Sequence, residues 1–477
     1  MRNLTLLTDF YELTMLQAYF YKKNKEHAVF DMFYRENPVG GAYSVVAGLE
    51  QVIEYIQQLD FDTNDINYLR KTGLFSSEFL EYLNNFTFTG DIYAVPEGTV
   101  VFPGELLVRV QAPIMEAQFI ETALLNIINH QTLIATKASR VCFAADGDPV
   151  LEFGLRRAQG PDAGLYGARA AIIGGCIGTS NVLAGQLFDV PVYGTHAHSW
   201  VVSFESELEA FREYARLYPS ACTLLVDTYD TLKSGVPNAI TVFKEMEQKN
   251  NMAIRLDSGD LAYLSKQARL MLDREGLEHV TISASNDLDE YVIFDLKAQG
   301  AKIDTWGVGT NLITSREYPA FGGVYKLAAI SNGNEWIPKI KLSEQHFKIT
   351  NPGLKKVYRL YNKSTNKMKA DLITLDHETI DIKKDLTIFD PIATWKQMTL
   401  KAGEYNVREL LEPIFIKGKC IYKSPKVTDI KEYAKKELDT IWEEHKRLVK
   451  PQIMPVDLSL DLYNLKQEMI ANIRLKT

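Results

Sequence analysis

Residues 194–200, GTHAHSW, set two histidines one residue apart where a short apolar run stops. Two kinds of chemistry use such a pair. Held jointly, His196 and His198 would ligate zinc, which needs one or two further histidines or carboxylates from other segments. The chain has eight histidines. His27, His377 and His445 lie in polar or helical contexts elsewhere, His279 precedes its apolar run, and His130 sits in a helical pattern, ETALLNIINH. The ligand count falls short unless aspartates complete it. Acting alone, one imidazole would be a base or nucleophile and would need an acceptor on its other ring nitrogen. Asp227, ending the next apolar run, is the nearest candidate. The acidic run after Ser199 predicts a helix starting there, which puts His198 at a helix N-terminus, where anions are favoured. A structural histidine bonded within a loop is the competing expectation, and this segment alone does not separate the two.

The arginines add a second signal. Arg156 and Arg157 end one apolar run and Arg255 lies within another, AIRLDSGD. A guanidinium at such a place costs desolvation unless an anion meets it. The turns 178-GTSN-181 and 307-GVGTN-311 offer backbone donors suited to phosphate, while no GxxxxGK[ST] segment exists. Asp257, Asp260 and Asp287 are acidic groups of the same set, able with a substrate diphosphate to position Mg²⁺. For Asp260 and Asp287 a helix N-cap is the plainer expectation. Taken together, these residues point to phosphorylated, polyanionic small molecules gathered near one histidine, hence to phosphoryl or phosphoribosyl transfer.

The elements that must carry these groups are legible as texture. From about 130 to 330, short apolar runs recur at spacings of mostly 25–30 residues, each ending in a polar or glycine cluster. They begin at Pro149, Cys176, Pro191, Cys222, Met252, His279 and Ile303. One strand, one helix and two loops fill such a spacing, and continuous apolar character suits strands buried on both faces. The fold class expected is α/β, an irregular TIM-like barrel over residues 126–335, with reactive groups after the strands' carboxyl ends. Residues 1–125 predict an α+β domain, with a helix in 41–58 and β-structure in 91–113. Residues 336–477 predict an extra region packing on the others, with a strand at 356–363 and a charged terminal helix at 429–449.

Composition narrows the class further. The chain of 477 residues is 46% hydrophobic and 24% charged, as in globular proteins of two or three domains. No apolar run reaches the roughly 18 residues of a membrane span, and no secretion signal is visible at the N-terminus. Four scattered cysteines without a CxxC motif predict reduced thiols and a cytoplasmic location. A net charge of −8 disfavours a nucleic-acid partner.

The segments 8-TDFYELTM-15, 153-FGLRRAQGPDAG-164, 178-GTSNVLAG-185, 194-GTHAHSW-200, 225-LVDTYDT-231, 253-AIRLDSGDL-261, 307-GVGT-310 and 322-GGVYKL-327 closely resemble those of bacterial nicotinate phosphoribosyltransferases, in the same order and nearly end to end. The resemblance implies that nicotinate and phosphoribosyl diphosphate are joined to give nicotinate mononucleotide and diphosphate. ATP hydrolysis would be coupled through a phosphorylated histidine, with Mg²⁺ on the phosphates. By motif position the phosphorylated histidine resembles His198, and Asp227 its acidic partner. Arg255 and Thr195 are similar to contacts on the pyridine carboxylate and the ribose side. Phe153 and Tyr11 resemble the rings that sandwich the pyridine, Tyr11 reaching from the partner of a homodimer, with Asp9 at that boundary. Arg156, Gly309 and Thr310 resemble contacts to the phosphoribosyl phosphate, and Asp257 a possible Mg²⁺ carboxylate. Nicotinamide-using relatives carry an aspartate where this chain has Ser180, and a serine there suits an acid substrate. Some relatives carry a cysteine-rich metal-binding C-terminal module, whereas this chain has only Cys420 there. The rival readings are a nicotinamide or quinolinate enzyme of the same fold, and more distantly a metal-dependent barrel hydrolase.

Overall fold

The computed structural model describes residues 3–23, 25–247, 250–331, 333, 335–345 and 348–475. The chain divides into two compact units, one of residues 1–133, 320–425 and 432–477, the other of residues 134–319 and 426–431.

The second unit is built on six short strands: β1 (Val150–Glu152), β2 (Gly178–Thr179), β3 (Thr223–Leu225), β4 (Ala253–Leu256), β5 (Thr281–Ala284) and β6 (Thr305–Val308). All pair in parallel, in the order β2-β1-β6-β5-β4-β3. Helices Pro161–Ile173, Val236–Glu245, Leu261–Arg274 and Glu290–Ala298 connect them and cover the sheet. Six of the seven expected runs thus form strands of this sheet.

The expected barrel is not closed. Of the pairings a six-stranded ring needs, only β2 to β3 is missing among the described residues. The seventh run, at Pro191, lies beside β2 and makes a single bridge, Thr179 to Val192. Pro191 has no N–H to donate, so a ladder cannot start from it. On the other edge, the Leu225 N–H donates to an imidazole, His196 Nε2, at 3.1 Å rather than to a strand. The mixed α/β class holds, with an open parallel sheet.

The first unit centres on a seven-stranded antiparallel sheet. Its order is Trp336–Pro338, Gly323–Ser331, His27–Tyr34, Leu106–Pro113, Asp91–Ala94, Glu412–Ile416 and Lys419–Cys420. The regions 1–125 and 336–477, expected as an α+β domain and an extra region packing on the others, share this sheet. Glu412–Ile416 pairs with Asp91–Ala94, whose edge groups would otherwise lack partners. A second sheet of four strands contains Lys355–Asn362 and Met368–Leu375. The segment 429–449 forms two helices, Val427–Thr440 and Glu443–Lys446, instead of one. The last helix is Leu460–Arg474, whose Leu462 N–H donates to the Ser459 hydroxyl. No helix among the described residues is long and apolar enough to cross a membrane.

Candidate active site

A parallel sheet brings all carboxyl ends of its strands to one rim. Here the ladder runs one residue past several strands. The Phe153 N–H donates to Val308 O, Ser180 N–H to Glu152 O, Val226 N–H to Arg255 O, and Ser285 N–H to Leu256 O. Phe153, Ser180, Asp227, Asp257, Ser285 and Gly309 therefore stand just beyond the ends of β1, β2, β3, β4, β5 and β6.

The two histidines have different tasks. His196 is buried, and both its ring nitrogens are spoken for by backbone. Nε2 accepts from Leu225 N–H, and Nδ1 lies 3.4 Å from Ala197 O, which fixes the neutral Nδ1–H tautomer. Burial, aided by the Arg255 and His198 charges, pushes its pKa down to about 4. A joint zinc site with His198 is thereby ruled out by geometry. A base neutral in the fold but protonated in the unfolded chain makes stability rise with pH. For His196 the window runs from about 4 to 6.5, and its full extent corresponds to about 3 kcal/mol. Urea midpoints measured from pH 7 to pH 4 are expected to fall along this slope, and His196→Asn should remove that part of it.

His198 is the other kind of histidine. Its side chain is 43% exposed, while the Asp227 side chain beside it is 1% exposed. His198 Nε2 lies 3.9 Å from Asp227 Oδ1 and 3.8 Å from Asp257 Oδ2, and Nδ1 lies 3.2 Å from the Thr228 hydroxyl. Asp227 is held by its other oxygen, Oδ2, which accepts from the Asp257 N–H at 2.9 Å and the Ser258 hydroxyl at 2.6 Å. That leaves Oδ1 buried with no hydrogen-bond partner. A carboxylate oxygen in that condition is costly unless a donor meets it. His198 Nε2–H, 3.9 Å away, faces it. Two carboxylates facing Nε2 favour the tautomer with the proton there, and this leaves the Nδ1 lone pair facing the Thr228 hydroxyl. The expected helix start is corrected in detail: His198 begins a one-turn helix, His198–Val202, and the acidic run forms a separate helix, Glu207–Leu217, capped by Ser206.

Arg255 is locked by three bonds. Nε donates to Ser285 Oγ at 2.8 Å, Nη1 to Thr195 Oγ1 at 3.0 Å and Nη2 to Asp257 Oδ1 at 2.9 Å. Ser285 in turn donates to the same Asp257 oxygen. The guanidinium sits 5.8 Å from the centre of the Phe153 ring. Gly307 makes this possible, since a Cβ there would come within 2.7 Å of the ring. This glycine was expected to serve phosphate binding, and its visible task is room for Phe153. Glu152, which the sequence reading passed over, is buried beneath the turn and accepts from the Thr179 hydroxyl and the Gly154 N–H. Burial pushes its carboxyl above the usual range.

Other expected residues are placed as follows. Arg156 and Arg157 occupy an exposed turn, Leu155–Arg157, after β1. Thr310 opens the short helix after β6, with Gly309 before it. Asp260 caps Leu261–Arg274 through Tyr263 N–H, as the plainer expectation held. Asp287 is no cap: the helix Glu290–Ala298 is capped by Asp289. Asp9 and Tyr11 belong to the first unit. There Thr122 bonds Asp9 and Glu12, and Tyr11 is 48% exposed. Burial and the carboxylates of Glu121, Glu12 and Asp9 push its phenol up to about 12. Thr228, Ser258 and Ser285 complete the site. Each follows a strand already marked by its apolar run, but a serine or threonine in a loop carries no signal of its own.

An open α/β sheet whose carboxyl rim holds an imidazole–carboxylate pair, a fixed guanidinium and an aromatic face defines an enzyme of small anionic substrates. The comparisons sharpen this. Models of the nicotinate phosphoribosyltransferase N-terminal domain, family and C-terminal domain match residues 6–129, 149–351 and 354–466. The chain is 46% identical over 474 residues to the nicotinate phosphoribosyltransferase of Bacillus subtilis (strain 168), covering 99% of this chain and 96% of that protein. It is 38% identical to the Dictyostelium discoideum nicotinate phosphoribosyltransferase, covering 96% and 87%. The crystal structure of human nicotinic acid phosphoribosyltransferase superposes with a TM-score of 0.85 at 29% identity, over 97% and 99% of the two chains. Nicotinate-nucleotide pyrophosphorylase from Pyrococcus furiosus shares the fold, with a TM-score of 0.71 at 22% identity over 92% and 96%. The chain belongs to the nicotinate phosphoribosyltransferase family.

Proposed function

We propose that this enzyme joins nicotinate to phosphoribosyl diphosphate in the making of NAD, giving nicotinate mononucleotide and diphosphate, with ATP hydrolysis coupled through phosphorylated His198. The observation that carries the reading is the buried, unpartnered Asp227 Oδ1 beside an exposed imidazole. In the transfer, the pyridine nitrogen forms a bond to C1 of the sugar as the bond from C1 to diphosphate breaks. The nucleophile carries no proton to remove, so alignment and charge stabilisation are what the protein must supply. Arg255 would take the nicotinate carboxylate while Phe153 takes the face of the ring, and Thr195 would lie on the ribose side. Arg156, Gly309 and Thr310 would receive the sugar phosphate.

In the coupled step, the Nδ1 lone pair of His198 attacks the γ-phosphorus of ATP. The bond to ADP breaks, and Nε2 keeps its proton, stabilised by Asp227. Mg²⁺ would fit Asp257: Oδ1 is used by Arg255 and Ser285, and Oδ2 accepts no hydrogen bond among the described residues. When bound it would neutralise charge on the phosphates.

Ser180 and Arg255 support an acid substrate over an amide. With phosphoribosyl diphosphate, ATP and Mg²⁺, kcat/KM for nicotinate is expected to exceed that for nicotinamide by at least about 30-fold, since a fixed guanidinium without the substrate carboxylate loses roughly 2–5 kcal/mol. Equal use of nicotinamide, read by chromatography of the mononucleotides, would count against the assignment.

Two exposed apolar faces support a homodimer. Phe10 and Tyr11 are exposed on the helix Phe10–Lys22, and Val182, Leu183 and Leu187 on Val182–Phe188. With Tyr11 of the partner subunit completing each site, mixing inactive Tyr11→Ala and Arg255→Ala proteins should restore about a quarter of wild-type activity. Half the dimers would then be mixed, each with one intact site. No recovery after subunit exchange would mean that each chain supplies its own site.

A further inference from the structure

The first unit holds a cavity of about 150 Å³ that the reaction does not use. Its walls follow from strand and helix periodicity. Asp31 and Phe33 alternate on one face of His27–Tyr34, and Val456 and Leu458 on one face of Val456–Leu458. Tyr463, Lys466 and Gln467 share one face of the helix Leu460–Arg474.

The charges in this cavity do not balance. Lys355 is fully buried and is matched by Asp31, whose Oδ2 lies 2.8 Å from its Nζ. Lys466 bonds only a neutral oxygen, Asn351 Oδ1, at 2.8 Å, and no carboxylate among the described residues pairs with it. Burial, together with the Lys355 charge, pushes its amine down to about 8. A half-buried cation in this state calls for an anion. Apart from Thr350, the remaining walls, including Leu106, Ile373 and Ile392, carry no polar side chain. Such walls disfavour a compact anion like phosphate, most of whose oxygens would lose water for nothing. A volume of this order holds about one six-membered ring or a branched chain of similar bulk.

We propose that this cavity is a binding site for a small monocarboxylate with an apolar body, its carboxylate on Lys466 and its carbon skeleton against Val456, Leu458 and Phe33.

Calorimetry on the full chain tests this with 4-methylpentanoate as the probe, in saturating nicotinate so that the catalytic rim is filled. Binding in the range of about 0.1–5 mM is expected, as for a ligand of this few atoms. K466M should weaken it by at least about tenfold while keeping the stem's packing, and K466R should stay within about threefold. The neutral 4-methylpentanamide should give no binding heat. No heat from 4-methylpentanoate would overturn the proposal. Equal binding of the amide, or undiminished binding by K466M, would do the same. The amide arm needs no variant, so it decides the matter even if K466M fails to fold.

Discussion

Arg255→Ala is expected to lower kcat/KM for nicotinate by a factor of about 30 to 5,000. That factor is the roughly 2–5 kcal/mol lost when one partner of a buried, hydrogen-bonded charge pair is truncated. The reasoning is local. Three of the guanidinium's N–H groups are fixed by Ser285, Thr195 and Asp257, so the group is oriented before any substrate arrives. Its two other N–H groups have no protein acceptor among the described residues, and a carboxylate bonded there loses its partner when the side chain is cut back. Asp257 would also be left facing the substrate with its charge unmatched. Arg255→Lys should recover only part of the loss, because an ammonium cannot hold Ser285 and Asp257 in the same fork. Steady-state kinetics with nicotinate and nicotinamide check this. The variant should lose far more toward the acid than toward the amide, and an equal loss for both would show that Arg255 serves the fold and not the carboxylate.

Asp227→Asn should be at least as damaging, but to a different step. Asp227 Oδ2 is held by the Asp257 N–H and the Ser258 hydroxyl, so an asparagine would keep its oxygen there and turn its NH₂ toward His198. That donor meets Nε2 as a lone pair and drives the proton to Nδ1, the nitrogen needed as nucleophile. A tautomer switch of this sort costs about 10⁴ in a serine-protease triad, and a loss of about 10³–10⁴ in the rate of phosphate uptake from ATP is expected here. Transfer without ATP should change much less, since the pyridine nitrogen needs no base. Rapid-quench measurement of label uptake, set beside the ATP-independent rate, separates the two.

Much of the site was legible because β-strands in a parallel sheet deliver their following residues to one place. The apolar runs at 149, 176, 222, 252, 279 and 303 marked six strands, and what followed each was bound to meet at the rim. Asp227, Arg255 and Asp257 needed nothing more. The failures have physical causes. Closure between β2 and β3 depends on one proline without an N–H and one imidazole in place of a ladder, and neither shows in a hydropathy pattern. His196 and His198 look equivalent in GTHAHSW, and only the reach of the Leu225 N–H separates them. The pairing of Glu412–Ile416 with Asp91–Ala94 joins segments more than 300 residues apart, which local spacing does not encode. Asp287 was expected as a cap, and Asp289 took that place two residues on. The charge imbalance at Lys466 arises from three distant segments and has no local trace.

The central claim is that His198 carries phosphate. It is tested most directly by incubating the protein with γ-labelled ATP and Mg²⁺, then following the label through acid and base. Label that is acid-labile and base-stable, maps to the peptide containing His198, and vanishes on adding nicotinate and phosphoribosyl diphosphate is the predicted result. The His198→Ala protein should take up none, and should keep a basal transfer that ATP no longer stimulates. Label persisting in that variant, or ATP stimulation surviving it, would contradict the account.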